Sequence, residues 1–399
     1  MRKYRLLLTI GVLLLIATEI LRVYFIMPFP GSQRLNTIDW AYNIEKNKWL
    51  LRIIGLALVA KPVYRVFTGR KLFPKILLSL VAIIYGIIFF FFNFRFEADK
   101  MFYQPSIKNF SSGSGNTIDS NKLIIGIDIH GESRAYPIQI IGYHHQVKDT
   151  VGNMPVMITY CTVCRTGRVY SPFVGGKIEK FRLVGMDHFN AMFEDETTKS
   201  WWQQATGFAI AGPLRGSHLE EIPSHQASLA SWMRLHPNST ILQPDSNYKE
   251  DYYDLSNFDK GTIKGHLEKR DSASWKMKSW VVGIKTNGFE KVYDWNDLLK
   301  DDMIEDTIGR LPVLLVLEKD TSSFHAFSRL LQGQTLSFSL DKTLGQLTDI
   351  NTHSIWNLNG YCISGPYKEN QLEMLAAYQE FWHGWKQFHP YTTIYHPAN

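Results

Sequence analysis

The chain has 399 residues, 45% of them hydrophobic and 14% aromatic, with a formal net charge of +6. That charge is unevenly placed: residues 1–110 hold 16 Lys/Arg against 5 Asp/Glu, a net of +11, and the remainder holds 27 against 32, a net of −5. A basic surface for nucleic acid is therefore excluded, because the positive excess belongs to the apolar N-terminal part and the rest is mildly acidic.

Residues 4–29 carry only Arg5, Glu19 and Arg22 as charges. They are long enough to cross a bilayer as a helix, and no small-residue cleavage site follows, so they read as an anchor. Residues 72–94 form a second apolar run, broken only by Lys75. Between them, residues 49–67 are weaker, with Arg52, Lys61-Pro62 and Arg65 interrupting the pattern. Arg2, Lys3 and Arg5 precede the first span, and Lys61 to Lys75 carry five basic residues and no acid. Both groups belong on the cytoplasmic side, which predicts three spans (about 5–28, 49–67 and 72–94); the alternative is two spans, with 49–67 lying in the interface and the C-terminal domain cytoplasmic. The expected location is the cytoplasmic (inner) membrane, with the C-terminal domain on the extracytoplasmic or periplasmic side.

Residues 96–120, containing Ser-Ser-Gly-Ser-Gly-Asn, read as a flexible linker. Beyond it lie nine of the eleven tryptophans, ample for a large core. Leu123 to Ile129, Val156 to Tyr160, Arg168 to Phe173 and Ile178 to Val184 have the strand pattern, as do Trp280 to Ile284, Val313 to Leu317 and Phe324 to Phe327. Ser228 to His236 and the stripe Leu372, Leu375, Ala376, Gln379, Trp382 and Lys386 read as helices that end at His-Pro.

These elements recur. Gly126, Gly131, Tyr136 and Asp149 to Val156 reappear as Gly283, Gly288, Tyr293 and Asp306 to Val313 at one offset of 157. Trp202, Gly207, Gly212-Pro213, Trp232 and His236-Pro237 answer to Trp356, Gly360, Gly365-Pro366, Trp385 and His389-Pro390. The expected fold is three membrane helices followed by a β-rich α+β domain of two tandem pseudo-symmetric repeats, 121–245 and 279–399, joined by a connection at 246–278. Shared glycines and tryptophans fix turns and packing, so chemistry belongs where the copies differ. Cys161 and Cys164 face Glu318 and Thr321, and His144 faces Asp301.

Cys161-Thr162-Val163-Cys164 follows a strand directly, and two thiols at this spacing can chelate one metal or close a disulfide. His144 and His145 lie upstream within reach of a hairpin return, and His188 follows the next strands. Thiolate and imidazole ligands outside the cytoplasm suit copper(I), with zinc as the harder alternative. A single histidine is as readily a hydrogen-bonded structural residue, and the cysteine pair a plain disulfide or two buried thiols. Cys362 matches neither paired cysteine and reads as buried and inert. Trp201, Trp202, Gln203 and Gln204 resemble a ligand-pocket wall, although Trp356 repeats Trp202 and favours a structural role for it. No phosphate loop, dinucleotide fingerprint or Gly-x-Ser-x-Gly motif is present, so no enzyme class is indicated.

Tyr143-His144, Asp149-Thr150-Val151-Gly152, Thr159-Tyr160-Cys161-Thr162-Val163-Cys164, Thr198 to Gln204, Ala209 to Leu214, and Trp232 with His236-Pro237 together resemble an uncharacterised bacterial family, the domain of unknown function 3179 (DUF3179). The resemblance covers most of residues 120–245 and, in degenerate form, the second copy. It implies no activity, but its pattern selects His144 over His145. Thr-Val stands between the cysteines where the family usually has Pro-Leu. Arg165 follows them where a small residue is usual, and its charge would favour thiolates. Three readings result: a transition-metal site of Cys161, Cys164, His144 and His188 taking copper or zinc; a thiol-disulfide redox pair without metal; or a binding or scaffolding module with a pocket of Trp201, Trp202, Gln203 and Arg165. The expected partners are the membrane and a metal donor or redox partner outside the cytoplasm.

Overall fold

The structure is a computed structural model, described for residues 2–397. It divides into two compact units, the first made of residues 1–103, 179–203 and 207–218 and the second of 104–178, 204–206 and 219–399.

The first unit contains three long helices, α1 (Arg2–Tyr24), α2 (Ile38–Thr68) and α3 (Leu72–Phe94). α1 and α3 are long and apolar enough to cross a membrane. α3 buries none of its residues, which leaves an apolar surface suited to lipid rather than water. α2 is one continuous helix, beginning well before the expected segment at 49, but its charges keep it out of that class. It packs on α1 through two glycines: a Cβ on Gly11 would lie 3.0 Å from the Gly55 carbonyl oxygen, and one on Gly55 only 2.7 Å from Leu15. Glu19, wholly buried, accepts from Arg52 at 2.6 and 2.7 Å and from Asn93 at 2.9 Å. The unit also holds a sheet of four antiparallel strands in the order Ala209–Ala211, Trp201–Gln203, Asn190–Asp195, Phe181–Asp187. The amide of Met186 donates to Ile26, Arg215 pairs with Asp39 at 2.7 Å, and Arg182 lies 3.5 Å from Asp99.

The second unit is β-rich, built of several small sheets. One runs Phe110–Ser111, Thr240–Leu242, Glu132–Pro137, Leu123–Ile129, His225–Ser228. Another runs Ala377–Phe381, Trp280–Thr286, Phe289–Asp294, Thr393–Ile394. Two three-stranded antiparallel sheets accompany them, Gln146–Val151 with Met154–Cys161 and Thr166–Tyr170, and Met303–Ile308 with Leu311–Leu317 and Phe324–Ser328. Gly126 lies under the ring of Trp232 and Gly283 under that of Trp385, each closer than a Cβ would permit, so only glycine fits at either position.

Two expectations are corrected here. The Ser/Gly-rich segment is tied down rather than flexible: Phe110–Ser111 pairs with Thr240–Leu242, the amides of Ser106 and Ile107 donate to Asp245, and Thr117 donates twice to Gln243. The stripe from Leu372 to Lys386 is not one helix. Ala377–Phe381 is a strand on Trp280–Ile284, and the helix is confined to Trp382–Phe388. Pairing that satisfies the backbone ladder and buries Gln379, Glu380 and Phe381 outweighs the helical spacing.

Candidate functional site

Cys161 ends its strand and Cys164 sits in the turn that follows, closed by the amide of Arg165 donating to Thr162 O at 3.3 Å. Arg165 adopts a left-handed φ of 56°, which reverses the chain into Thr166–Tyr170. Both cysteines are thiols, wholly buried, and close enough on the turn for Cys161 to act on the Cys164 thiol. Burial pushes the Cys164 thiol well above its ordinary range, Cys161 adds to that, and the ammonium of Lys278 opposes both.

Three groups distant in sequence cover this turn. Lys278 Nζ donates to the Val163 carbonyl at 2.6 Å and lies 3.1 Å from His383 Nε2, which is itself 3.1 Å from the same carbonyl. Burial lowers the Lys278 pKa, with both cysteines pulling it back up, and burial together with Lys278 takes His383 down to about 4. The amide of Phe381 donates to Cys164 O at 2.9 Å, and Gly384 packs directly against Cys164. The sulfurs are sealed, whereas Lys278 and His383, on the Val163 carbonyl, are half-buried.

The other expected ligands lie elsewhere. His144, buried, places Nε2 2.7 Å from the Tyr252 hydroxyl inside a nest of Tyr143, Tyr248 and Tyr252 rings. His145 is bonded through Nδ1 to Tyr160 O at 2.9 Å and is held at a pKa of about 4 by burial. His188, in the first unit, lies 2.6 Å from Asp187 Oδ1, a bond that raises its pKa. Among the described residues no group of three or more His, Cys, Asp or Glu side chains converges as a metal site, so Cys161, Cys164, His144 and His188 are not gathered around one point.

The expected pocket wall is also internal scaffold. Trp201 donates to Glu194, Trp202 to Asp195 at 2.9 Å and Gln203 to Asp187, and all three side chains are buried. Arg165 does not supply the charge beside the thiols. It turns away, donating to Gln379 at 2.8 Å and Phe258 O at 3.3 Å, with its guanidinium over Trp280. The cation at the turn is Lys278, a residue that sequence reading left in the connection, and His383 and Gly384 come from the half expected to be passive. Cys362 is buried, its thiol donating to Ser364 O at 3.3 Å.

The pattern of the family described as protein of unknown function (DUF3179) matches residues 103–392, so the chain belongs to that family. No curated protein matches the chain, and no solved structure does.

Proposed function

We propose that this member of the family is a membrane-anchored thiol–disulfide exchange protein whose centre is Cys161 and Cys164. The observation that carries the reading is the closeness of two thiols on one turn, beside the ammonium of Lys278. Two sulfurs already close need little backbone movement to bond, and the nearby cation favours the reactive thiolate. In the exchange, one cysteine thiolate attacks a partner disulfide RS–SR and expels RS⁻. The second cysteine thiolate then displaces the other RS⁻, giving a Cys161–Cys164 disulfide and two RSH. The two protons lost by the cysteines pass to the leaving thiolates, and the partner disulfide is reduced. Lys278 stabilises the first thiolate, and displacement of the Lys278–His383 pair admits the partner.

A metal reading uses the same sulfurs. Copper(I), a soft ion, suits two converging thiolates, whereas tetrahedral zinc asks for four ligands, and among the described residues no third His, Cys, Asp or Glu joins Cys161 and Cys164. One preparation separates the two: the full chain in detergent, equilibrated across glutathione redox buffers, with thiols trapped and identified by mass spectrometry. A single two-electron transition linking Cys161 to Cys164, absent in Cys161→Ser, is the expected result. Thiols that stay reduced throughout but take up one copper(I), lost in Cys164→Ser, would replace exchange with metal binding. Thiols inert to both would leave a structural pair.

The reading places α1, α2 and α3 as three spans with the N-terminus inside and the thiol domain on the periplasmic side of the inner membrane. It is supported by the contacts of Ile26, Asp39 and Asp99 with one sheet, since these residues mark the end of α1, the start of α2 and the chain just after α3. The weak point of α2, Arg52, is neutralised by Glu19 at 2.6 Å. A reporter fused after Phe110 that is active only in the cytoplasm would overturn it.

Duplication of the outer part is supported by paired details: Trp232–His236 and Trp385–His389 stack at 3.9 and 3.8 Å, and Asp195 and Asp349 each accept from the Thr three residues on and the Ser five residues on.

A further inference from the structure

Away from the cysteine turn, the second unit contains an open cavity of about 620 Å³ lined by Lys122, Asp259, Lys260, Arg270, Trp280 and Trp295 among others. Trp280 is 7% exposed, and two guanidiniums lie against its indole, Arg165 at 4.1 Å and Arg270 at 4.2 Å from the ring centre. Neither forms a close ion pair among the described residues, although the Asp259 carboxylate acts on Arg165 and that of Asp294 on Arg270. Arg165 donates to Gln379 and Phe258 O, and Arg270 to Asn296 at 2.9 Å. Burial lowers the pKa of both, and for Arg270 the charge of Arg165 adds to it.

The polar atoms left over are of complementary kinds. Arg270 Nε, Arg165 Nη2 and Trp280 Nε1 are buried donors with no acceptor, and Asp259 Oδ1 is a buried acceptor with no donor, its other oxygen taking the Leu123 amide at 3.1 Å. Each such group is costly to keep buried while unpaired. Four in one neighbourhood exceed what a packed core normally tolerates. A plain anion would satisfy the guanidiniums but face Asp259, and a plain cation would face Arg270. Only a molecule bearing both charges completes the set.

We infer that this cavity binds a small zwitterion of the amino-acid or dipeptide class, its carboxylate toward Arg270 and the Trp280 N–H and its ammonium toward Asp259. Trp295 and Leu299 supply the apolar wall for the remainder of the ligand. The site is independent of the thiol reading.

The test is equilibrium dialysis and thermal melting of the full chain in detergent with alanyl-alanine, alanine, propionate and inorganic phosphate. Alanyl-alanine or alanine should bind and raise the melting temperature, with propionate and phosphate at least about tenfold weaker. Asp259→Asn and Arg270→Gln should each weaken zwitterion binding by about tenfold or more. Lys260→Glu, an exposed rim change that replaces a cation beside Asp259 with an anion and leaves the buried set intact, should hold or strengthen zwitterion binding while the unliganded melting temperature is unchanged, and a loss of binding there would contradict an ammonium at Asp259. Equal binding of phosphate or propionate overturns the assignment, as does an absence of zwitterion binding at millimolar concentration in the wild-type chain.

Discussion

The ammonium of Lys278 lies 2.6 Å from the carbonyl oxygen of Val163, at the middle of the Cys161–Cys164 turn. Its charge opposes the burial that raises the Cys164 thiol. Lys278→Met removes the opposing charge, so the thiol pKa rises further and the thiolate fraction at any pH below it falls about tenfold per unit of rise. Alkylation of Cys164 should slow, with its rate-versus-pH curve displaced to higher pH, and Lys278→Arg should recover part of the rate. An unchanged curve in the methionine variant would show that Lys278 acts only as a prop for the turn.

Gly384 is the second constraint on that sulfur. A Cβ there would lie 3.2 Å from Cys164 Cβ and 3.4 Å from its Sγ, tighter than ordinary packing. Gly384→Val adds two further methyl groups to this contact and should destabilise the fold by about 1–3 kcal/mol. Urea unfolding should show a lower midpoint with an unchanged slope. Wild-type stability would mean that the helix Trp382–Phe388 can back away from the turn.

Glu318, which the sequence matching sets against Cys161, is a buried acid. Burial alone would raise its carboxyl. The His325 ring at 2.7 Å, with Ser231 and Arg234, outweighs that and holds it at about 2. A depressed pKa contributes stability above the unfolded value near 4.5 that is lost as pH falls toward 2. The contribution is about 3 kcal/mol. Wild-type stability should therefore drop through that window, and Glu318→Gln should be less stable at neutral pH with a flatter acid limb.

The local features were legible and the long-range ones were not. Gly126 and Trp232 could be matched with Gly283 and Trp385 because one contact, a ring lying on a glycine, forced the same residue types twice. The cysteine turn was legible because four consecutive residues determine it. Lys278 and His383 carry no sequence signal, being 115 and 220 residues from Val163, the carbonyl they share. Arg165 misled because adjacency in sequence suggested adjacency in charge, and its positive φ instead sends the guanidinium to Trp280. The strand Ala377–Phe381 was hidden by apolar spacing that fits a helix. Only the pairing with Trp280–Ile284 decides it, and pairing partners are not written in a short window.

That strand also carries a fully buried ion pair. Arg168 Nη2 lies 2.6 Å from Glu380 Oε1 with both side chains at most 2% exposed, and the guanidinium sits 3.5 Å from the centre of the Tyr378 ring. Two charges taken from water are tolerated only while each compensates the other. Glu380→Gln should cost up to about 3–5 kcal/mol by leaving the buried Arg168 with only the half-buried Glu221, at 3.5 Å, as counter-charge. Arg168→Met should cost a similar amount for the opposite reason. The double variant Arg168→Met with Glu380→Leu buries no charge, so it should recover most of the loss, and a thermodynamic cycle over the four proteins should give a large favourable coupling. If the single changes are mild and additive, the pair is not dry, and water reaches the join between the strands Thr166–Tyr170 and Ala377–Phe381.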